Sequence, residues 1–376
     1  MGYKEQLSEI RTKIDAIDSE YLQLFERRML LAQEVAKIKG ANNLSILDEA
    51  REQQIVDNAA SLVDPSLRGE AALLMRATLA LSRGQQRNLL FHNEAPLLPP
   101  PNLHKTASVK CAYQGVVGAW SEQAALRFFP NAELLSSEYF DDVFDLVKTG
   151  SADYGVVPIE NSRTGAIGET YDLLRKHGCY IVGRLWIDIK QCLLGNKDAN
   201  LDDIREVYSH PEGFKQCRKF LNHRAWEQLS CRNTAVAAEL VREKADKRVA
   251  AIGSRRAAEL NNLKVLVPDI MDDIGNRTSF VVIAAEPEYT NSDNLISVTF
   301  STQHRSGALC ETLLPFMAQG INMMRIESRP TTGGKYRFFM ELEANILDAD
   351  TVSTLRQAAA ASEYFEVIGC YTQNGE

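Results

Sequence analysis

From Leu7 to Ile38 the chain carries nine apolar residues at alternating steps of three and four: Leu7, Ile10, Ile14, Ile17, Tyr21, Leu24, Leu31, Val35 and Ile38. That spacing is a heptad seam along one helix of about 32 residues. The seam position between Leu24 and Leu31 is charged: Arg28. A charge at a core position is costly unless it is paired. Arg28 therefore either snorkels and sets register or marks an anion site inside a helical bundle. Arg28 and Lys39 are separated by about 20° around the helix and roughly 16 Å along it, close enough to converge on one small anion. Arg11 lies roughly 25 Å from Arg28 on the same axis. If both serve one ligand, Arg11 comes from another chain, and the spacing predicts an intertwined dimer.

A loop (residues 40–47) leads to a second helix with Asp48 at or near its N-cap. Asp48, Arg51 and Glu52 share a face by i, i+3 and i+4 spacing. Asp64-Pro65 reads as a cap followed by proline at the first helical position, and a third helix then runs to about His92, with Ser82 and Gln86 one turn apart. Taken singly, each of these polar groups is a solvated helix face. Taken together, I-R-x-K-I-D near the start, L-x-x-R-x-x-L-A-x-x-V-x-x-x-K, D-x-x-R-E and S-x-x-x-Q resemble the all-helical class of chorismate mutases. The resemblance implies a bundle that rearranges chorismate, a dicarboxylate, to prephenate in one pericyclic step. Such a site needs only to hold the reactive geometry and stabilise charge on the breaking ether oxygen. It implies Arg28 and Arg11 of the partner subunit on the carboxylates, and Lys39 and Gln86 at the ether oxygen. Glu52 would take the ring hydroxyl, while Asp48, Arg51 and Ser82 orient.

Pro96, Pro99, Pro100 and Pro101 fall close together and read as a semi-rigid spacer. The chain thus divides into a helical segment over 1–92, a linker over 93–106 and a second segment over 107–285. A length of 376 residues has room for two or three domains. The formal net charge of −8 argues against nucleic-acid binding. A charged, amphipathic start and no stretch long enough to span a bilayer predict a cytoplasmic protein with no membrane partner. Seven scattered cysteines, with no C-x-x-C and no histidine at metal spacing, fit reduced thiols and no metal site.

Within 107–285, strand-like runs alternate with helix-like ones, and polar clusters recur at strand ends, where open α/β sheets bind ligands. Strands are expected at 109–113, 179–182, 186–194, 249–252 and 280–284, with helices at 141–148 and 234–244 and a helix capped near Ser121. The focal stretch is Val156 to Leu174, VVPIENSRTGAIGETYDLL: an apolar strand, then Glu160-Asn161-Ser162, then a helix. By pattern alone it is also an ordinary strand–loop–helix turn. Together with Tyr113-Gln114-Gly115, Ser209-His210-Pro211, N-T-A-x-A-A at 233–238, A-A-I-G-S at 250–254 and N-x-T-x-F at 276–280, it resembles prephenate dehydratase.

That resemblance implies two α/β lobes around a cleft, like periplasmic binding proteins, with no metal or organic cofactor. The reaction takes water and CO2 from prephenate to give phenylpyruvate. Thr278 would act at the departing hydroxyl as a hydrogen-bond donor or proton relay, because a free threonine is too weak an acid. Glu160, Asn161, Ser162, Thr170, Ser209 and His210 would line the cleft. Two readings of His210 stay open, a proton donor or an N-terminal residue of its helix; Glu160 is open to a structural role across the loop. The family usually reads Thr-Arg-Phe where this chain has Thr278-Ser279-Phe280. Arg277 shares a face with position 279 in an extended segment and is expected to substitute.

The segment 293–376 reads strand, helix, strand, strand, helix, strand, an α+β ferredoxin-like plait. Gly307-Ala308-Leu309 at a helix start and Glu327-Ser328-Arg329-Pro330 at a strand end resemble the amino-acid-sensing ACT domain. The resemblance implies phenylalanine as ligand: the glycine lets backbone approach it, and helix N–H groups hold its carboxylate. Feedback inhibition of the dehydratase is then expected. The whole reads as a multidomain homodimer or tetramer in phenylalanine biosynthesis, turning chorismate into prephenate and prephenate into phenylpyruvate. Two other readings remain: a dehydratase whose helical segment only dimerises, and a non-enzymatic two-lobed binding protein. The intact Arg11/Arg28/Lys39/Glu52 set argues against the first.

Overall fold

The computed structural model describes residues 2–90, 95–102, 108–273, 275–331 and 335–373. The chain forms two compact units: Met1–Leu97 with Phe300–Asn322 and Asp348–Phe365, and Leu98–Thr299 with Met323–Leu347 and Glu366–Glu376.

The first unit opens with α1 (Tyr3–Ala41), α2 (Glu49–Ser61) and α3 (Arg68–Leu90). Helix α1 has 39 residues, one or two turns more than the periodicity alone defines. Residues 2–24 are all exposed, and only the second half packs on α3, through Met29, Ala32 and Ala36. At 100° per residue the inward stripe is a different face from Leu31, Val35 and Ile38, which are 60%, 43% and 62% exposed. Arg28 and Lys39 lie half-buried at the edge between the two faces. Asp48 caps α2, its Oδ1 accepting from Arg51 N at 3.0 Å. Asp64 and Pro65 start a short 3-10 turn, Pro65–Leu67, ahead of α3. The expected end of the third helix at His92 and the linker residues 93–94 and 103–107 lie outside the described residues.

The second segment runs β1 (Lys110–Gln114), α4 (Trp120–Phe128), β2 (Glu133–Ser137), α5 (Phe140–Lys148), β3 (Tyr154–Asn161), β4 (Gly165–Ala166), α6 (Gly168–His177) and β5 (Tyr180–Asp188). It continues with β6 (Cys192–Gly195), β7 (Glu206–Ser209), α7 (Pro211–Gln216), α8 (Arg218–Leu221), β8 (Glu227–Ser230), α9 (Thr234–Lys244), β9 (Val249–Gly253), α10 (Arg255–Leu260), β10 (Lys264–Val267) and β11 (Arg277–Ala284). The strands expected at 179–182 and 186–194 are instead one strand, β5, followed by β6 in a different sheet. The expected cap at Ser121 is also displaced: Ala119 takes the N-cap position, without a side-chain bond, and Ser121 is buried inside α4.

The chain ends with β12 (Leu295–Ser301), α11 (Ala308–Gln319), β13 (Met323–Pro330), β14 (Tyr336–Glu343), α12 (Ala349–Ala360) and β15 (Tyr364–Tyr371), the expected βαββαβ order. Strands β13-β14-β12-β15 lie beside β5-β11-β3-β1-β2 in one sheet, while β10-β6-β9-β7-β8 form a second. The two sheets are the centres of two lobes of the dehydratase-like segment. At the seam of the larger sheet, a Cβ on Gly369 would stand 2.2 Å from Ile181 O, so only glycine lets β15 approach β5.

Strand β11 is buried from Thr278 to Ala284 between β5 and β3, which is why it reads as a near-continuous apolar run. Pro158 is tolerated inside β3 because β1 pairs with β3 only as far as Val156. On the other edge, the register with β11 shifts between Ser279 and Phe280, a bulge beside Pro158. Among the described residues, no helix is long and apolar enough to cross a membrane.

Candidate active sites

In the helical unit the sequence-predicted residues separate into two groups. Arg28, Lys39, Glu52, Ser82 and Gln86 are buried or half-buried; Arg11, Asp48 and Arg51 are exposed. Burial depresses the Arg28 pKa below the ordinary guanidinium range, and the nearby Glu52 partly offsets this. Lys39 Nζ donates to Ile46 O, which ties the end of α1 to the loop before α2. Gln86 Nε2 donates to Ser82 Oγ at 3.3 Å, and Gln86 Oε1 is buried without a hydrogen-bond partner among the described residues. An orphaned carbonyl oxygen inside a bundle suits a ligand donor. Arg51 Nη1 turns outward to Gln54 Oε1 at 2.6 Å. Arg11 stands on the exposed half of α1, away from the others.

Sequence reasoning missed Arg83. It forms an ion pair with Glu52 and reaches Glu311 of α11 at 3.4 Å. Arg305 holds Glu311 through two bonds of 3.0 and 2.7 Å. These groups, with Glu49 and Arg76, line a cavity of about 400 Å³.

In the α/β unit, Thr278 and Asn161 face each other in register across β11 and β3. Asn161 is held at both ends of its amide. Its Oδ1 accepts from Arg163 N (3.0 Å) and Thr164 N (3.2 Å), and its Nδ2 donates to Asn276 Oδ1 (2.9 Å) and Thr278 Oγ1 (3.0 Å). Thr278 Oγ1 thus accepts from an amide, which leaves its own proton free to donate. Asn276, which sequence reasoning used only as part of a motif, is 2% exposed and its Nδ2 has no hydrogen-bond partner among the described residues.

Thr278 and Asn161 open onto a cleft of about 370 Å³. The N-terminal ends of α4, α7 and α9 border it through Trp120, His210 and Thr234. Backbone N–H groups and helix dipoles at such ends favour carboxylates. His210 is an N-cap: its Nδ1 accepts from Glu212 N at 3.1 Å, which leaves Nε2 as the protonated nitrogen.

Four residues expected in the cleft do not line it. Thr170 is fully buried and donates to Pro158 O at 2.6 Å, anchoring α6 to β3. Ser209 is fully buried against Gly213, where a Cβ would lie 2.3 Å from its Oγ. Glu160 points to the opposite face, because side chains alternate along a strand; there it pairs with Arg184 at 2.9 Å and Arg325 at 3.0 Å. Ser162 instead ties β3 to the start of β11, its Oγ accepting from Arg277 N at 2.9 Å.

The expectation for Arg277 also shifts. Its guanidinium is exposed, 5.1 Å from the Trp186 ring. The arginine that meets Ser279 is Arg184 of β5, whose Nε donates to Ser279 Oγ at 2.7 Å. Among the described residues, no cluster of histidine, cysteine, aspartate and glutamate is arranged to hold a metal.

The chorismate mutase type II family profile matches residues 10–87 and the prephenate dehydratase profile matches residues 111–288. The bifunctional chorismate mutase/prephenate dehydratase of Escherichia coli (strain K12) is 33% identical over 382 residues, covering 99% of this chain and 97% of that protein. The chain belongs to this bifunctional family. Its dehydratase part is also similar to the arogenate dehydratase/prephenate dehydratase 1, chloroplastic, of Arabidopsis thaliana, at 33% identity over 76% of this chain and 80% of that one. A crystal structure of prephenate dehydratase in complex with L-Phe from Arthrobacter aurescens superposes with a TM-score of 0.65 at 25% identity, covering 70% of this chain and 90% of that one.

As a bifunctional chorismate mutase/prephenate dehydratase, the chain converts chorismate to prephenate and prephenate to phenylpyruvate on the way to phenylalanine. In the second step the ring C–O bond breaks as the hydroxyl leaves as water. The ring–carboxylate bond breaks as CO2 leaves, and its electron pair closes the aromatic ring. The only external help this needs is a proton donor at the hydroxyl and anchors for the acid groups.

Proposed function

We propose that the two reactions are carried by separate residue sets: Arg28, Lys39, Glu52, Gln86 and a second copy's Arg11 for the mutase, Thr278 and Asn161 for the dehydratase. At the dehydratase cleft, Asn161 holds the Thr278 hydroxyl so that its proton points at the leaving hydroxyl. The helix ends at Trp120 and Thr234 receive the carboxylates, and His210 keeps α7 in place beside them. The observation that carries this is the fixed Asn161–Thr278 bond of 3.0 Å at the wall of the cleft. At the mutase, Arg28 and the partner's Arg11 clamp the carboxylates of chorismate. Lys39 and Gln86 meet the ether oxygen, Glu52 takes the ring hydroxyl under the control of Arg83, and Asp48, Arg51 and Ser82 orient. The buried Gln86, whose Nε2 is the donor an ether oxygen needs, and the exposed Arg11 support that division.

The domains then run 1–92, with a linker over 93–106, then 107–285 and 293–376. The last is an ACT-type sensor for phenylalanine, using Gly307, Ala308 and Leu309 with Glu327, Ser328, Arg329 and Pro330. Gly307 has φ 79°, which suits a helix start whose N–H groups must approach a ligand, and β13 is an edge strand with one side open. Arg329 meanwhile bonds Asp172 of α6 at 3.1 Å, which gives the sensor a route to the dehydratase. The test is a prephenate assay with and without millimolar phenylalanine. Thr278→Val should lower kcat by about 10²-fold or more, Thr278→Ser should retain most of it, and phenylalanine should slow the parent. Parent-like turnover in Thr278→Val would remove the cleft assignment; a rate indifferent to phenylalanine would remove the sensor.

A further inference from the structure

Behind the Asn161–Thr278 pair, on the opposite face of the sheet, lies a buried charge cluster that the reaction does not touch. Strand alternation puts it there. Asn161 and Thr278 are paired across β3 and β11, and so are their neighbours Glu160 and Ser279, which point the other way. Both neighbours meet one guanidinium. Arg184 donates through Nε to Ser279 Oγ (2.7 Å), through Nη2 to Glu160 Oε2 (2.9 Å) and through Nη1 to Glu341 of β14. Arg325 of β13 donates to the same Glu160 oxygen at 3.0 Å. Glu341 Oε1 accepts from Tyr371 OH at 2.8 Å, and Tyr371 OH meets Ser297 Oγ at 2.7 Å.

The side chains of Arg184 and Glu341 are only 7% and 9% exposed. Two arginines and two glutamates balance to zero. Burial opposes the Arg184 charge, but Glu341, Tyr371 and Glu160 outweigh it and raise its pKa above the ordinary value. The guanidinium therefore stays charged, with a partner on each nitrogen.

This cluster sits where β3 has lost one of its neighbouring strands. Past Val156, β3 has lost β1, and beside Pro158 its register with β11 shifts through a bulge. The end of β3 is then held by β11, by the two-residue β4 and by the Arg184 fork. A planar, three-way donor is the side chain suited to cross-tie two strands and a third.

We propose that Arg184 is a positioning residue for the dehydratase step: by gripping Glu160 and Ser279 it fixes the adjacent Asn161 amide and Thr278 hydroxyl, and through Glu341 it ties their register to β14. The proposal rests on the assignment of Thr278 and Asn161 to the reaction. It makes the strands of residues 295–371 part of the dehydratase framework, with Glu341 as the joint.

The test compares Arg184→Met, the double variant Arg184→Met/Glu341→Gln, and Thr278→Val, each in the full chain, with mutase turnover as the measure of an intact helical unit. Arg184→Met strands two carboxylates with one arginine. The double variant restores charge balance through Arg325 and Glu160 without restoring the fork. The expected result is a kcat for prephenate about 10²-fold below the parent in Arg184→Met, with KM little changed. Mutase turnover should stay at the parent level. The double variant should regain thermal stability but not kcat. A kcat near the parent in Arg184→Met would overturn the proposal. So would a kcat that recovers together with Tm in the double variant, since Arg184 would then only stabilise the fold. Parent-like activity in Thr278→Val would instead refute the cleft assignment on which the proposal stands.

Discussion

Asn161 illustrates how one residue can set another's chemistry. Two backbone N–H groups fix its carbonyl, so its amide nitrogen can only donate, and Thr278 is left with a proton to give. His210 follows the same logic with a different outcome. Its Nδ1 caps α7, which meets the helix-start reading, while the Nε2–H is left at the cleft, so substitution is what separates the two readings of His210. Asparagine caps equally well through its side-chain oxygen, whereas alanine loses about 1 kcal/mol of cap energy. His210→Asn should therefore keep the parent kcat and Tm, and His210→Ala should lower Tm first; a large kcat loss in His210→Asn, measured on prephenate, would assign the proton-donor role. The residues around Asn161 and Thr278 were legible in sequence because each lies inside a short motif, PIENS or N-x-T-x-F. Arg184 was not legible. Its partners Ser279 and Glu341 are 95 and 157 residues away, and it fell in an apparent gap between two strands that are in fact one. Glu160, Thr170 and Ser209 were legible as polar residues beside the site, but which way each points depends on strand register and burial, which a motif does not state.

Among the elements, α1 and its apolar seam were legible from periodicity, whereas the stripe that packs within the chain was not. Two apolar stripes share the helix, and periodicity marks the stripe of larger residues while the bundle buries the smaller Ala32 and Ala36. Strands β2 and β8 left no clear signal because both are edge strands with exposed polar positions. Helix α11 is joined to the mutase helices by Arg83, through Glu311. Burial alone would raise the Glu311 pKa, but hydrogen bonds and charge from Arg305, with Arg83 beside it, outweigh burial and hold it below the usual carboxylate range. A carboxylate with a depressed folded pKa stabilises the fold above its unfolded pKa of about 4.3 and loses that contribution as pH falls through the folded value. Glu311→Gln should thus lower Tm near neutral pH, with the gap to the parent closing as the solution is acidified below about pH 4. A gap that stays constant across that range, followed by circular dichroism, would mean the pair adds nothing to stability.

At the scale of the whole molecule, the two activities differ in what one chain supplies. The dehydratase cleft has Thr278, Asn161 and three helix ends within one compact unit. The mutase set is split: Arg28, Lys39, Glu52 and Gln86 belong to the packed part of the bundle, while Arg11 stands on the half of α1 that is exposed along residues 2–24. On the proposed division of residues, the mutase is a property of two chains and the dehydratase cleft a property of one. The order of segments, helical, two-lobed α/β and βαββαβ, was readable from periodicity and turn residues. That β15 would lie beside β5 and carry the larger sheet across segment boundaries was not, because Gly369 and Ile181 are remote in sequence. The most direct measurement is mutase turnover by co-expressed Arg11→Ala and Arg28→Ala chains. Each variant alone should be nearly inactive on chorismate while still converting prephenate. In a mixed dimer one site regains both arginines and the other loses both, so random pairing should return about a quarter of parent mutase activity. Mixed chains no better than either variant alone would contradict a site shared between subunits.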